Sequence, residues 1–345
     1  MRFVAVVLVS LFISVSASAT PSRMPDFTSK DSILGWINTY RERPDPAHVP
    51  DAIRGLGRLG LLRDTDASGV YVGFLAGVLA ANPERAQDIV TRSFPLPEDQ
   101  QWAVVRAIAY SGLADWKALL GRVSYLMPQR KVMIEKLVTG KLQTLDQAPI
   151  EKDQTFGEKV REQFTLAKYF SKPSQEAPFQ LTPDVLDTLW GYYFATGSYR
   201  PLARIIVMLR WAKERDRLEL LTLGSMAKYT LAINASRNPS LLAQLKWAVT
   251  QQPEPIAKVL NQVIEAAETA ETGRLRNEAL AALEEFKAKG PGYKRDVSMW
   301  GQVGEGALAV GCIVAAVAGQ VEFGIPCVIG GVATSAAIRL YDGQK

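Results

Sequence analysis

Apolar residues recur along most of this chain at spacings of three and four, the period of a helix that buries one face. The clearest case lies between Gln100 and Leu120, where Trp102, Val105, Ala109, Leu113, Trp116 and Leu120 trace a single stripe. Alanine and leucine dominate and β-branched runs are few, which favours helix over strand. Three helix starts carry a capping residue followed by proline: Asn82-Pro83, Thr182-Pro183 and Asn238-Pro239. The cap oxygen accepts from an orphan N–H, and proline has none to waste in the first turn. Glu84 and Asp184 follow two of these starts, where an acid suits the positive end of the helix dipole. Tight turns separate the helices at Ala81-Asn82, Ser111-Gly112, Thr196-Gly197 and Arg237-Asn238. The first two turns lie about 30 residues apart and the last two about 41, a spacing that suits helical hairpins stacked on their neighbours. The pattern predicts an all-α fold of stacked hairpins, either an α-solenoid or an irregular bundle.

The chain divides by composition. Residues 1–19 read as a signal peptide: Met1-Arg2, an apolar run from Phe3 to Val15, and small residues in Ala17-Ser18-Ala19. That apolar run is short of the ~20 residues that span a bilayer as a helix, so cleavage and export are expected. Residues 20–50 read as an extended N-terminal segment, 51–170 as a helical hairpin region and 184–289 as a second helical region. Residues 171–183, with Pro173 and Pro178, read as the linker between them. Lys289-Gly290-Pro291-Gly292 stops the second region.

Residues 296–345 form a different kind of sequence, rich in Gly, Ala, Val and Ile, with Glu322 as the one charge between Gly306 and Ile338. It reads as an apolar hairpin of two short halves. Small residues allow close helix approach, the physics of helix pairs in membranes. Residues 287–341 therefore also read as a surface for a membrane, with Trp300 and Tyr341 as interfacial anchors. Oligomerisation through the tail is the other expectation. Against simple spanning helices stand the short halves, the charge of Glu322, and the basic Lys287, Lys289, Lys294 and Arg295 on what export makes the outer side.

Both cysteines, Cys312 and Cys327, lie in this tail. A hairpin bent at Gly319-Gln320 sets them level, within reach of a disulfide. A bend near Glu322, with Pro326 opening the second helix, offsets them instead. An oxidising compartment favours the disulfide.

Composition narrows the chemistry. Apolar content of 48% with 22% charge describes a folded protein. The formal net charge of +5 is mild and reads as spread along the chain, so no nucleic-acid partner is expected. The lone histidine, His48, sits in a proline-rich loop, which argues against a Ser-His-Asp triad or a multi-histidine metal site. Gly55-x-Gly57-x-x-Gly60 has the letters of a dinucleotide fingerprint but no preceding strand. Ser225-x-x-Lys228 lacks the partner motifs of penicillin-binding enzymes. The acid pairs Glu98-Asp99 and Glu284-Glu285 read as solvated faces, because adjacent residues on a helix diverge. No catalytic residue, cofactor or metal is expected.

The most informative unit is Leu189 to Tyr199. It resembles a tetratricopeptide repeat: Leu189, Tyr193, Gly197 and Tyr199 match that repeat's spacing, while Trp190 and Leu202 stand where it carries small residues. The resemblance implies a protein-binding scaffold, with Trp190, Tyr192, Tyr193, Tyr199 and Arg204 as candidate partner contacts. The expectation is an exported, non-catalytic helical scaffold that binds a protein partner in a bacterial periplasm or cell envelope. A membrane-associated protein acting through its tail, and an enzyme on a cell-envelope polymer using scattered carboxylates, are the alternatives.

Overall fold

A computed structural model describes residues 25–148, 150, 183–214 and 218–270, together with 277 and 281. The signal segment, the linker up to residue 182, both cysteines and the apolar tail lie outside the described residues, and Pro183, read as the linker's last residue, opens a helix instead. Within them are twelve α-helices, short 3-10 turns and no strand, so the fold is all-α.

The first seven helices are α1 (Lys30–Thr39), α2 (Val49–Arg58), α3 (Gly69–Ala81), α4 (Ala86–Arg92), α5 (Trp102–Tyr110), α6 (Trp116–Val123) and α7 (Lys131–Val138). The other five are α8 (Pro183–Thr196), α9 (Tyr199–Val207), α10 (Leu218–Arg237), α11 (Pro239–Val249) and α12 (Glu254–Glu268). No described helix is long and apolar enough to cross a membrane.

Local chemistry accounts for many of the boundaries. Helix α11 starts where Asn238 accepts from the Leu241 N–H at 2.9 Å, with Pro239 in its first turn. Gly197, at φ +62°, donates to the Tyr193 carbonyl and closes α8, and Ser198 then caps α9. Gly112, at φ +74°, cuts the long stripe between Gln100 and Leu120 into α5 and α6.

Two expectations need correction. Residues 20–50 are not extended throughout, because α1 forms there. Ser29 and Ser32 bond each other reciprocally at its start, and Ile33, Leu34 and Ile37 are buried. Asn82 does not cap the helix that follows it. Its amide donates back to the Val78 carbonyl at 2.8 Å, and a 3-10 turn at Pro83–Arg85 leads into α4.

The Gly55-Gly57-Gly60 pattern is packing, not phosphate chemistry. A methyl at Gly55 would meet the Phe27 carbonyl at 2.9 Å, and one at Gly57 would meet Leu96 at 2.6 Å. Gly60 ends α2 at φ +69°, with the Leu61 N–H on the Leu56 carbonyl and its own on Gly57, a Schellman stop.

At the centre, α3 crosses α8. All of α3 from Gly69 to Leu79 is buried, so it shows no amphipathic period. Gly69, Gly73 and Gly77 repeat every fourth residue and face the Asp184, Thr188 and Tyr192 carbonyls of α8. Gly191 answers from α8, against the Val70 carbonyl and the Phe74 nitrogen. One apolar cluster therefore runs from Phe27 to Ala267 and spans both helical regions. A solenoid repeat touches only its neighbours in sequence. Here a helix of the first region is enclosed by one of the second, and the centre of the molecule is a bundle.

Two buried phenols in this core set an alkaline limit. Burial pushes Tyr71 far above its ordinary value, with Asp31 and Asp187 adding to the shift. Tyr40 is raised by burial first and by Asp45 second. An unfolded chain releases these protons near pH 10 whereas the folded one retains them, so above about that pH the folded state binds more protons. Stability is therefore expected to fall as pH rises through about 10, and to fall less steeply in Tyr71→Phe; denaturant titrations across that range measure it.

Candidate interaction site

The five residues singled out from the tetratricopeptide-like segment part company in the structure. Trp190 is 0% exposed and Tyr193 is 1% exposed. Trp190 stacks on Phe194 with ring centres 5.6 Å apart and meets Tyr193 edge-on at 5.7 Å. Its indole N–H donates to Thr230 Oγ1 at 2.9 Å, joining α8 to α10. Arg204 is also buried. Its guanidinium donates to the Leu145 carbonyl at 2.7 Å and the Ala148 carbonyl at 3.0 Å, which anchors the chain after α7 to α9. A charge-assisted bond to a backbone carbonyl in a dry site is strong, and it leaves this guanidinium committed to the fold. These three side chains hold the protein together and offer no surface to a partner.

Tyr192 is half-buried and its hydroxyl donates to the Ser111 carbonyl at 3.0 Å. Burial raises its pKa, Arg200 opposes that rise and Asp146 adds to it. Tyr199 alone of the five leads to open surface. Its ring meets that of Trp247 edge-on, with centres 5.1 Å apart and planes at 80°. Trp247, on α11, is 57% exposed.

Sequence reading missed Trp247, although the signal was present. Leu241, Leu245 and Ala248 form the buried stripe of α11 at spacings of four and three, and Trp247 falls off it. The charges around the pair are balanced. Lys246 bonds Glu268 at 2.5 Å, and Arg200, next to Tyr199, bonds Asp146 at 3.0 Å. The result is an edge-on aromatic pair, one ring of it exposed, with paired charges beside it.

Comparison of the chain with protein-family models, with curated proteins and with solved structures finds no match.

The other candidate groups serve the fold. His48 lies beside Asp45, with Nδ1 2.6 Å from Oδ2, in the turn before α2. Asp99 pairs with Arg63 at 3.1 Å, and the Glu98 carbonyl accepts from Arg130 at 2.5 Å. Ser225 is buried within α10. Glu284 and Glu285 lie outside the described residues. Among the described residues, no three His, Cys, Asp or Glu side chains gather in a way that could hold a metal.

Proposed function

We propose that the protein is an exported, non-catalytic helical scaffold that holds a protein partner against the Tyr199–Trp247 surface. One observation carries the reading: a tryptophan 57% exposed to solvent, braced edge-on by a half-buried tyrosine on the adjoining hairpin. Trp and Tyr lose little rotamer freedom when covered, and they are the residues most often found to dominate binding energy. The long-range bonds of Arg204 and Trp190 tie down the hairpins α8–α9 and α10–α11 that carry Tyr199 and Trp247, which favours a preorganised pair. The export signal in residues 1–19 sets the compartment of this reading.

A photo-crosslinker at the exposed Ala243, in the full-length protein in its own cell, tests the site. A discrete protein adduct is expected. Trp247→Ala is expected to lower its yield about 30-fold, the loss of ~2 kcal/mol at a central anchor, with the melting temperature unchanged. Val132→Ser, on a different surface, is expected to leave it intact. An adduct that survives Trp247→Ala at full yield overturns the assignment.

A further inference from the structure

The chain from Trp116 to Leu145 has an unusual balance. It carries Lys117, Arg122, Arg130, Lys131, Lys136 and Lys141 against a single acid, Glu135. Six cations and one acid leave this stretch at +5, the formal net charge of the whole chain. The expectation of an even spread was therefore wrong for this part of the surface. We propose that α6, α7 and the turns flanking α7 form a docking face for bilayers rich in anionic phospholipid.

The two arginines of the stretch are engaged within the protein. Arg122 bonds Asp115 at 3.0 Å and Gln87 at 2.8 Å, and Arg130 donates to the Glu98 carbonyl. The four lysines are exposed, and no described acid lies within ion-pair distance of any of them. Of the five large apolar side chains exposed on the described surface, three lie here: Tyr125 at 69%, Val132 at 65% and Leu142 at 37%. In α7, Ile134 and Leu137 point into the core, so the helical period puts Val132 and Lys136 one turn apart on the opposite face.

Lysines interleaved with an exposed tyrosine and aliphatic groups match the membrane interface. The ammonium groups meet headgroup phosphates while their stems, the phenol and the aliphatic groups enter the acyl boundary. The choice of cation separates this from an acidic protein partner. Arginine's planar fork suits fixed carboxylates, and here both arginines are already engaged by groups of the protein itself. Point charges on flexible stems suit a diffuse, laterally mobile anionic surface, and the four lysines carry that role here.

The test is co-sedimentation of the full-length protein with phosphatidylcholine vesicles, with or without one third phosphatidylglycerol. Binding is expected only with phosphatidylglycerol, and it should weaken as salt rises. The exposed-site variant K131E/K136E is expected to lower the partition coefficient roughly 30-fold or more, since each lysine at the surface accounts for about fivefold. Y125S/V132S is expected to lower it about tenfold by removing the apolar part. K213E/K258E makes the same charge change at exposed lysines elsewhere and is expected to bind like the parent. Undiminished binding by K131E/K136E overturns the proposal, above all if K294E/R295E in the tail abolishes binding. An equal loss in K213E/K258E also overturns it, because net charge and not this face would then be responsible. None of these readouts involves Trp247, so they stand or fall apart from the partner-binding reading.

Discussion

Gly73→Ala is expected to destabilise the protein by about 3 kcal/mol or more, the upper end for an overpacked core. The added methyl would lie 1.9 Å from the Thr188 carbonyl oxygen and 2.6 Å from its carbon. Neither atom belongs to a flexible side chain, so relief requires α3 and α8 to move apart by about 1 Å. Separation would loosen the packing around Val70, Phe74, Leu189 and Tyr193, all nearly inaccessible to solvent. Domains of ordinary stability hold only ~5–15 kcal/mol in reserve, so a large share is lost at one position. Gly191→Ala, whose methyl would lie 2.0 Å from the Val70 carbonyl, is expected to cost a similar amount. The two should not add: whichever comes first separates the helices and relieves part of the second clash. Gly121→Ala is the control of opposite sign. Nothing lies within 4 Å of a methyl there, and alanine favours helix over glycine by ~0.5–1 kcal/mol. Urea titrations of the parent, the three single variants and Gly73→Ala/Gly191→Ala measure all of this. A Gly73→Ala variant within 1 kcal/mol of the parent, estimated on the same overpacking scale, would show that α3 and α8 are not in backbone contact.

That crossing also marks the limit of what the sequence disclosed. Amphipathic segments were legible because one wet face gives a period, and the turns at Gly112 and Gly197 were legible because the chain there needs a positive φ. Helix α3 has no wet face, so its sequence carries no period and gives no sign that it is the central helix. Its partner stands more than a hundred residues away across the linker, and local pattern does not encode that pairing. Helix α1 was missed for a smaller reason. Its cap closes on Ser32 instead of the more familiar Glu or Gln, so no capping-box signature was visible.

The candidate site was half legible. An aromatic cluster such as Trp190 to Phe194 reads the same in sequence whether it packs a core or grips a partner, and burial decides between the two. Trp247 carried the better signal, an aromatic off its helix's own buried stripe, which hydrophobic content alone conceals. The lysine face around α7 was legible as residues but not as a surface. The engagement of Arg122 by Asp115 and of Arg130 by the Glu98 carbonyl, which separates committed from available charge, exists only in three dimensions.

Trp190→Ala is expected to cost about 3–5 kcal/mol, because it removes the largest fully buried side chain among the described residues. The loss has separable parts. Trp190→Phe keeps most of the ring stack on Phe194 but removes the indole N–H, so it should cost less, about 1–2 kcal/mol. The partner hydroxyl is not stranded by that change, since Thr230 Oγ1 donates to the Met226 carbonyl at 2.8 Å. Thr230→Val therefore leaves the indole N–H as the group without a bond, a buried donor whose desolvation costs about 1–3 kcal/mol. In Trp190→Phe/Thr230→Val neither donor nor acceptor is orphaned, so the double variant should be more stable than the sum of the single losses predicts, by about 1 kcal/mol. Equilibrium unfolding of the four proteins reads this coupling directly. Strict additivity would mean that α8 and α10 meet without this bond, and the firmness ascribed to the hairpins that carry Tyr199 and Trp247 would lose one of its two long-range ties.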